Sequence, residues 1–223
     1  MSLLKRRYMM SLGESERLPS GYQEVEYIEK KFDGTNTAYI DTGINASYDL
    51  VVEANLKCEL GVDSHACAVF ASRVGFTNKD YTCLFQNVIS NGQKYDSRFG
   101  NFAYNYGSYL VEYPSGFHTL TWGNGYVFIN HIEKLAMSNS STFTSSLNVY
   151  LFAGNANGSV GFYEGDGRLQ IKEFKMRRNG VLLRDFVPCY RKSDSEVGMY
   201  DLVSGSFFTN QGSGEFLMGG GSP

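Results

Sequence analysis

Residues 184–210 read RDFVPCYRKSDSEVGMYDLVSGSFFTN, a stretch that fits either an active site or a packed sheet. A reactive cysteine needs a histidine partner, and none lies near Cys189 in the sequence. The alternation of apolar and polar residues predicts a strand that crosses a sheet, followed by a hairpin that closes it. We therefore expect Cys189 to be a small buried hydrophobic residue. The charged residues expected to fix the strand ends are Arg184, Asp185, Arg191 and Asp194.

The composition is that of an all-β protein. The chain has 223 residues, with 25 glycines, 16 tyrosines and 16 phenylalanines but only four prolines and one tryptophan. Aromatic residues favour strands, and many glycines are typical of short strands joined by tight turns. A chain of this length can form one β-sandwich whose core needs neither a metal ion nor a disulfide.

Charge and cysteine content exclude several classes of function. The formal net charge is −3 and the basic residues are scattered, so the chain lacks the basic stripe of a nucleic-acid-binding protein. The four cysteines form no Cys-x-x-Cys pair, which argues against structural zinc. No run approaches the roughly 20 apolar residues of a membrane helix, and the start is too short in apolar residues for a secretory signal. We expect folding in the reducing host cytoplasm, with no membrane insertion and no nucleic-acid partner.

The pattern divides the chain into three parts. Residues 1–18 lack a strand pattern and are predicted to be an arm or short helix, residues 19–216 to form the sandwich, and residues 217–223 to be a flexible glycine-rich tail. The arm holds a dense basic cluster beside apolar residues, which suits docking on an acidic, apolar groove of an assembly partner. The candidate docking residues are Leu3, Leu4, Lys5, Arg6, Arg7, Tyr8 and Met9.

The sandwich is predicted from period-two segments between turn signals. YQEVEYIEK, residues 22–30, alternates with period two and predicts the first strand. Similar short segments continue to residue 210, as expected for a two-sheet antiparallel sandwich. The Gly123-Asn124-Gly125 and Asn179-Gly180 sequences predict tight hairpins, because Gly and Asn accept positive φ at low cost.

Several of these segments, in this order, carry a resemblance to a known family. They are YQEVEYIE (22–29), YIDTGI (39–44), FHTLTWGNGYVFIN (117–130), LNVYLFAGNANGSV (147–160) and the run from 169 to 210. The order resembles the concanavalin A-like, laminin-G-like jelly-roll domains of phage and prophage proteins, from about Leu18 to Gly214. The resemblance implies a jelly-roll β-sandwich. Lectins, adhesins, glucanases and virion decorations share this fold, so the likeness is specific for fold and weak for function.

Catalytic candidates are weak. Retaining β-glucanases of this fold carry acids at alternate strand positions, and Glu24 and Glu26 would lie on one face, about 7 Å apart along a strand. Their motif stands in the opening strand and has no neighbouring tryptophan to hold a glucan, so we expect no glycosidase activity. His65, His118 and His131 fall in separate segments and support no Ser-His-Asp triad.

Two aspartate-glycine turns raise the question of calcium. Residues 41–43 (DTG) and 165–168 (GDGR) could each supply oxygen ligands. Aspartate beside glycine is first of all a turn signal, so we assign no cofactor to the chain.

Aromatic residues are the best candidates for ligand recognition. Phe102, Tyr104 and Tyr106 share one face at period two, among Asn, Gly and Ser, as in rigid aromatic binding surfaces; the alternative is that this stripe lines the core. Trp122 abuts a glycine turn where a large ring is harder to bury, which favours sugar stacking or a subunit contact. The proposed ligand-binding residues are Tyr104, Tyr106 and Trp122.

These observations favour a non-enzymatic structural or decoration protein of a bacteriophage particle that presents a lectin-like, carbohydrate-binding domain. Display in many copies on a virion, or in a homo-oligomer, would turn a weak site into useful avidity. The main alternative is a bacterial surface adhesin or carbohydrate-binding module, and a glycan hydrolase comes third. We expect the partners to be other virion proteins, reached through the arm, and surface glycans.

Overall fold

The computed structural model describes residues 17–61, 66–74, 80–88, 92–100, 110–136, 142–161 and 165–219. Within these ranges two sheets pack as a sandwich and no helix occurs. The predicted all-β, two-sheet antiparallel sandwich is confirmed, and the arrangement is consistent with a jelly roll. No helix in this part of the chain is long and apolar enough to cross a bilayer.

The strands range in length from three to 12 residues. In chain order they are β1 (Tyr22–Glu24), β2 (Tyr27–Phe32), β3 (Ile40–Ser47), β4 (Leu50–Leu60), β5 (Cys67–Arg73), β6 (Asp80–Val88), β7 (Gly92–Gly100), β8 (Leu110–Glu112), β9 (His118–Gly123), β10 (Tyr126–Ile129), β11 (Ile132–Ala136), β12 (Thr144–Leu151), β13 (Gly154–Ala156), β14 (Ser159–Gly161), β15 (Gly167–Arg178), β16 (Val181–Arg191), β17 (Glu196–Asp201), β18 (Ser206–Thr209) and β19 (Leu217–Gly219).

The sheets differ in size. The larger sheet has 11 strands, eight of them in the order β11-β10-β9-β4-β15-β16-β17-β18, with β1, β2 and β19 joined at its side. The smaller sheet has eight strands, in the order β14-β13-β5-β6-β7-β8, with β12 linking β3 to β5. The pairings are antiparallel except that of β13 with β5.

One apolar core lies between the sheets. Along β4, the residues Leu50, Val52, Ala54, Leu56 and Cys58 are buried while those between them are partly exposed, as the two-residue period of a strand requires. The core contains rings from both sheets, including Phe70 of β5. Many outward positions carry polar side chains, and these form the surfaces described below.

The opening segment 22–30 is not one strand. β1 pairs with β16, through Glu24 opposite Cys189, and β2 pairs with β15 and β19. Between them the Val25 N–H donates to the carbonyl of Pro188 and the Glu26 N–H to that of Gly219. The prediction of a single strand over YQEVEYIEK is therefore wrong, because its two halves hydrogen-bond to different neighbours.

The asparagine-glycine turns are confirmed. Asn124 and Gly125 have φ of 52° and 78° and join β9 to β10, while Asn179 and Gly180, at 49° and 80°, join β15 to β16. Positive φ at both central positions matches the right-handed twist of the flanking strands.

The stretch 184–210 forms β16, β17 and β18, as predicted. Cys189 is fully buried with Val187 and Leu18 in a second, smaller apolar cluster, so the expectation of a buried hydrophobic cysteine is confirmed. At the β16–β17 turn the Arg191 guanidinium pairs with the Asp194 carboxylate at 2.6 Å.

The sandwich extends beyond its predicted limits at both ends. Leu18 is buried in the second cluster, which corrects the predicted end of the arm at residue 18. Leu217–Gly219 is strand β19, paired with β2, although residues 217–223 were expected to be a flexible tail. Its backbone hydrogen bonds place residues 217–219 in the larger sheet.

Candidate functional site

A groove of about 290 Å³ crosses the outer face of the larger sheet. We call it the outer-face groove; it is lined by Glu53, Ala54, Asn55, Thr119, Leu120, Thr121, His131, Glu173 and Lys175. Strands β9, β4 and β15 supply most of these residues, and the β10–β11 turn supplies His131. The face is polar because every second residue of these strands points away from the core.

Strand register aligns the polar side chains in two rows. In the first row Thr121 lies opposite Glu53, Glu53 opposite Lys175, and Lys175 opposite Asp185. In the second, Thr119 lies opposite Asn55, which lies opposite Glu173. Directly opposed side chains on neighbouring strands are about 4.5–5.5 Å apart at Cβ, so the rows form a continuous polar surface.

The charges on this face are paired. The Lys175 ammonium lies 3.3 Å from the Glu173 carboxylate and 3.8 Å from that of Asp185, and Arg177 lies 3.4 Å from Glu53. Burial raises the pKa of Asp185, and Lys175 opposes that effect. The face therefore carries both signs of charge in contact, without a cluster of either sign.

Two buried oxygens at this face have no hydrogen-bond partner in the part of the chain that the structure describes. They are Asn55 Oδ1 and Thr119 Oγ1, which belong to opposed residues of β4 and β9. An unpaired buried polar atom costs about 1–3 kcal/mol. A ligand hydroxyl group that reached either oxygen would supply the missing hydrogen bond, which an already satisfied surface does not offer.

Aromatic rings flank the polar rows on β10. Phe128 lies opposite Thr121, and Tyr126 lies two residues before it on the same face, 45% exposed. Their ring centroids are 6.1 Å apart. A polar groove with adjacent rings can contact both the hydroxyl groups and the C–H faces of a sugar.

Trp122 is not available to a ligand, which corrects the expectation from the sequence. Its side chain is 0% exposed and points into the core, between Phe70, Tyr81 and Phe99 at ring distances of 5.2, 4.4 and 5.1 Å. Val127, which pairs with Trp122 across β9 and β10, is also buried. Both side chains therefore face the core, and the nearby glycine turn does not keep the Trp122 ring exposed.

The remaining predicted binding residues lie outside the described residues. They are the ligand-binding candidates Tyr104 and Tyr106, with Phe102, and the docking candidates Leu3, Leu4, Lys5, Arg6, Arg7, Tyr8 and Met9. The proposed roles of these residues stay predictions.

The acidic pair of the opening segment is separated by the break between β1 and β2. Glu24 pairs with Arg17, while the Glu26 carboxylate accepts a hydrogen bond from Lys172 at 2.7 Å. Glu24 and Glu26 therefore do not lie on one continuous strand face, as a double-displacement mechanism would need here.

His118 and His131 lie in different environments. His118 is buried; its Nδ1–H donates to the Gly116 carbonyl at 2.9 Å, so its Nε2 accepts from the Tyr95 hydroxyl at 2.7 Å. Burial lowers the pKa of His118. His131 lies at the outer-face groove, and His65 is outside the described residues. The two described histidines therefore belong to different environments.

Asp41, of the calcium candidate at residues 41–43, is engaged by internal contacts. Asp41 accepts hydrogen bonds from the Gly43 N–H at 2.9 Å and from the Asn148 amide at 3.2 Å. Among the described residues, no group of three or more His, Cys, Asp or Glu side chains is placed to hold a metal ion.

The sequence does not predict the outer-face groove. Alternation along β4, β9 and β15 predicts that Asn55, Thr119 and Glu173 point outward, but not that they are neighbours. Their strands lie far apart in the chain and meet only through sheet pairing. No family model, no curated protein and no solved structure matches this chain.

Proposed function

We propose that this chain is a non-enzymatic carbohydrate-binding protein of a bacteriophage particle and that the outer-face groove holds the glycan. One observation carries the proposal: Asn55 Oδ1 and Thr119 Oγ1 lack partners among the described residues, at a polar groove whose neighbouring strand β10 carries Phe128 and Tyr126 on the same face. A sugar offers hydroxyl donors to such oxygens and C–H groups to the rings.

The charges favour a neutral, hydroxyl-rich ligand. Lys175 and Arg177 already contact Glu173, Asp185 and Glu53. A phosphate or sulfate would have to compete with these carboxylates for the cations, whereas hydroxyl groups can bond to both partners of an ion pair.

The same pairing supports binding rather than catalysis. A glycosidase needs one carboxyl group held protonated as the acid and a second carboxylate as base or nucleophile. Glu53 and Glu173 are each held in an ion pair, with Arg177 and Lys175 respectively. Asp185 has a raised pKa but also lies beside Lys175.

The particle assignment is supported by the resemblance to phage jelly-roll domains. A shallow groove binds a single sugar chain weakly, and many copies on a virion would multiply that affinity through effective concentration. Mass spectrometry and antibody labelling of purified particles test this part; absence of the chain from particles would contradict it and leave the adhesin alternative.

Attachment to the particle is assigned to residues 1–16. Arg17 contacts Glu24 and Leu18 is buried, so a deletion should stop at residue 16 to leave the sandwich intact. We expect the shortened chain to fold and stay soluble but no longer join particles. Normal incorporation would move the attachment surface onto the sandwich.

Substitution Thr119→Val tests the groove. It removes an oxygen that has no partner and keeps the shape of the side chain, so the free energy of unfolding should stay equal or rise by about 1 kcal/mol. Binding on a glycan array, followed by titration with the best ligand, should weaken about tenfold if one hydrogen bond worth about 1.4 kcal/mol is lost.

The matched control is Thr144→Val, at an exposed threonine of β12 on the other sheet. We expect this control to bind glycan like the parent protein. If Thr119→Val leaves binding unchanged, or if no glycan on the array binds, the groove is not the site.

A further inference from the structure

A second surface with the features of a binding site lies on the smaller sheet. We call it the tyrosine patch; its members are Tyr39, Asp41, Asn148 and Tyr150. Asp41 of β3 is opposite Tyr150 of β12, and Asn148 is two residues before Tyr150 on the same face. The neighbours Ile40, Val149 and Leu151 are buried, so the patch residues point away from the core.

The two tyrosine rings form a partly exposed pair. Their centroids are 4.7 Å apart with an interplanar angle of 32°, and both side chains are partly exposed. Neither phenol oxygen hydrogen-bonds to another residue in the part of the chain that the structure describes, so each can serve a ligand. The pair offers a rigid apolar surface with polar ends, at a small cost in side-chain entropy.

A carboxylate lies beside the rings with spare acceptor capacity. Each Asp41 oxygen accepts one hydrogen bond, Oδ1 from the Gly43 N–H at 2.9 Å and Oδ2 from the Asn148 amide at 3.2 Å. An ionised carboxylate has about four acceptor positions, so positions remain for a ligand. Its two bonds hold it in place, which preorganises it for binding.

We propose that the tyrosine patch binds a sugar ring of a glycan, as a second site separate from the outer-face groove. The rings would cover the C–H face of the sugar, and Asp41 would accept hydrogen bonds from its hydroxyl groups. The other polar acceptor is Asn148 Oδ1, since the amide nitrogen of this residue is engaged by Asp41.

Other ligand classes fit the patch less well. Calcium takes six to eight oxygen ligands, and Asp41 is the patch's only carboxylate. A phosphate or sulfate would meet the negative charge of Asp41 without a cation in the patch. A hydroxyl-rich neutral ring satisfies both the carboxylate and the aromatic surface.

The position of the patch has a consequence for the whole chain. The outer-face groove and the tyrosine patch lie on outer faces of opposite sheets, so their ligands approach from opposite sides. One molecule could then bridge two glycan chains, which a single site cannot do.

The test uses the full chain, labelled with nitrogen-15, and a set of soluble oligosaccharides of glucose, galactose, mannose and N-acetylglucosamine. At least one sugar should shift the amide signals of residues 39–45 and 148–150. Tyr39→Ala and Asp41→Asn should each weaken that binding about tenfold, the loss of roughly 1.4 kcal/mol. Tyr39→Phe, which keeps the ring, should restore most of the affinity lost in Tyr39→Ala.

Thr119→Val separates this proposal from the proposed function. It should weaken only the binding that shifts signals of the groove strands β4 and β9, and leave the tyrosine patch unaffected. Thermal unfolding checks that each variant is folded. If no sugar shifts residues 39–45 and 148–150, or if the patch variants bind as the parent protein does, the proposal is wrong, whatever happens at the groove.

Discussion

At the scale of single residues, Asp201 holds the hairpin that closes the larger sheet. Its side chain is fully buried and accepts hydrogen bonds from the N–H groups of Asp185, Val203 and Ser204 at 2.8, 3.2 and 3.1 Å. Arg184 lies 3.4 Å away and also donates to the Thr42 carbonyl of the other sheet. The motif MYDLVSG is therefore structural, as the sequence predicted for this stretch.

Asp201→Ala should destabilise the protein strongly. The substitution leaves three backbone donors without their acceptor and the Arg184 guanidinium without its carboxylate partner, and breaking a buried ion pair costs about 3–5 kcal/mol. Urea unfolding of the two proteins measures the loss. Asp194→Ala, at the exposed pair with Arg191, is the control and should have a much smaller effect; equal losses would contradict the role given to Asp201.

Lys30 is a buried cation with a stability cost. Its side chain is 2% exposed, its Nζ donates to the Phe152 carbonyl at 2.9 Å, and it lies 4.7 Å from the Phe32 ring centroid. Burial lowers the pKa of Lys30 to about 8, from 10.5. The unfolded chain thus binds more protons between these two values, so the stability contributed by this residue rises with pH across that window.

Lys30→Met should therefore stabilise the protein at pH 7, by roughly 1–3 kcal/mol, because it removes the burial of a charge. The gain should shrink as pH rises from 8 to 10.5, where the parent lysine becomes neutral in the folded state. Denaturant unfolding at several pH values measures both effects. Equal stability of the two proteins at every pH would show that Lys30 is solvated.

At the scale of strands, close packing of backbones decides which glycines can be replaced. A Cβ at Gly198 of β17 would meet the Phe208 carbonyl oxygen of β18, and it would also crowd the Phe207 ring. At Gly21 nothing lies within 4 Å and no positive φ is needed. The two positions therefore differ although both are glycines near strands.

Gly198→Ala should destabilise the protein because β18 must move away from β17. We expect a loss of about 1–3 kcal/mol, the usual cost of overpacking, while Gly21→Ala should be neutral or slightly stabilising. Thermal unfolding of both variants gives the comparison. A neutral Gly198→Ala would mean that β18 is loosely held.

Strand positions and hairpins were largely predictable, while strand continuity was less so. The Asn124-Gly125 and Asn179-Gly180 turns follow from local backbone preferences, and they occur as expected. The break between Glu24 and Tyr27 cannot be predicted from the sequence, because the two-residue period continues through it. It is visible only in the pairing, since β1 pairs with β16 and β2 with β15.

At the scale of the whole molecule, the sandwich is held by rings that meet between the two sheets. Trp122 of the larger sheet contacts Phe70, Tyr81 and Phe99 of the smaller one. Trp122→Ala should cost about 3–5 kcal/mol of unfolding free energy, because it leaves a large cavity. Tyr126→Ala, at an exposed ring, is the control for this measurement; a near-parental melting temperature for Trp122→Ala would contradict the packing.

The all-β class, the main hairpins and the buried state of Cys189 can be predicted from the sequence, since these depend on short-range alternation and turn preference. Sheet pairing and packing are needed to show that Trp122 is in the core, that Asn55, Thr119 and Glu173 share a groove, and that Tyr39 contacts Tyr150. The physical reason is that alternation tells which way a side chain points. Which strands become neighbours depends instead on pairings between residues more than a hundred positions apart, such as Asn55 with Glu173 and Asp41 with Tyr150.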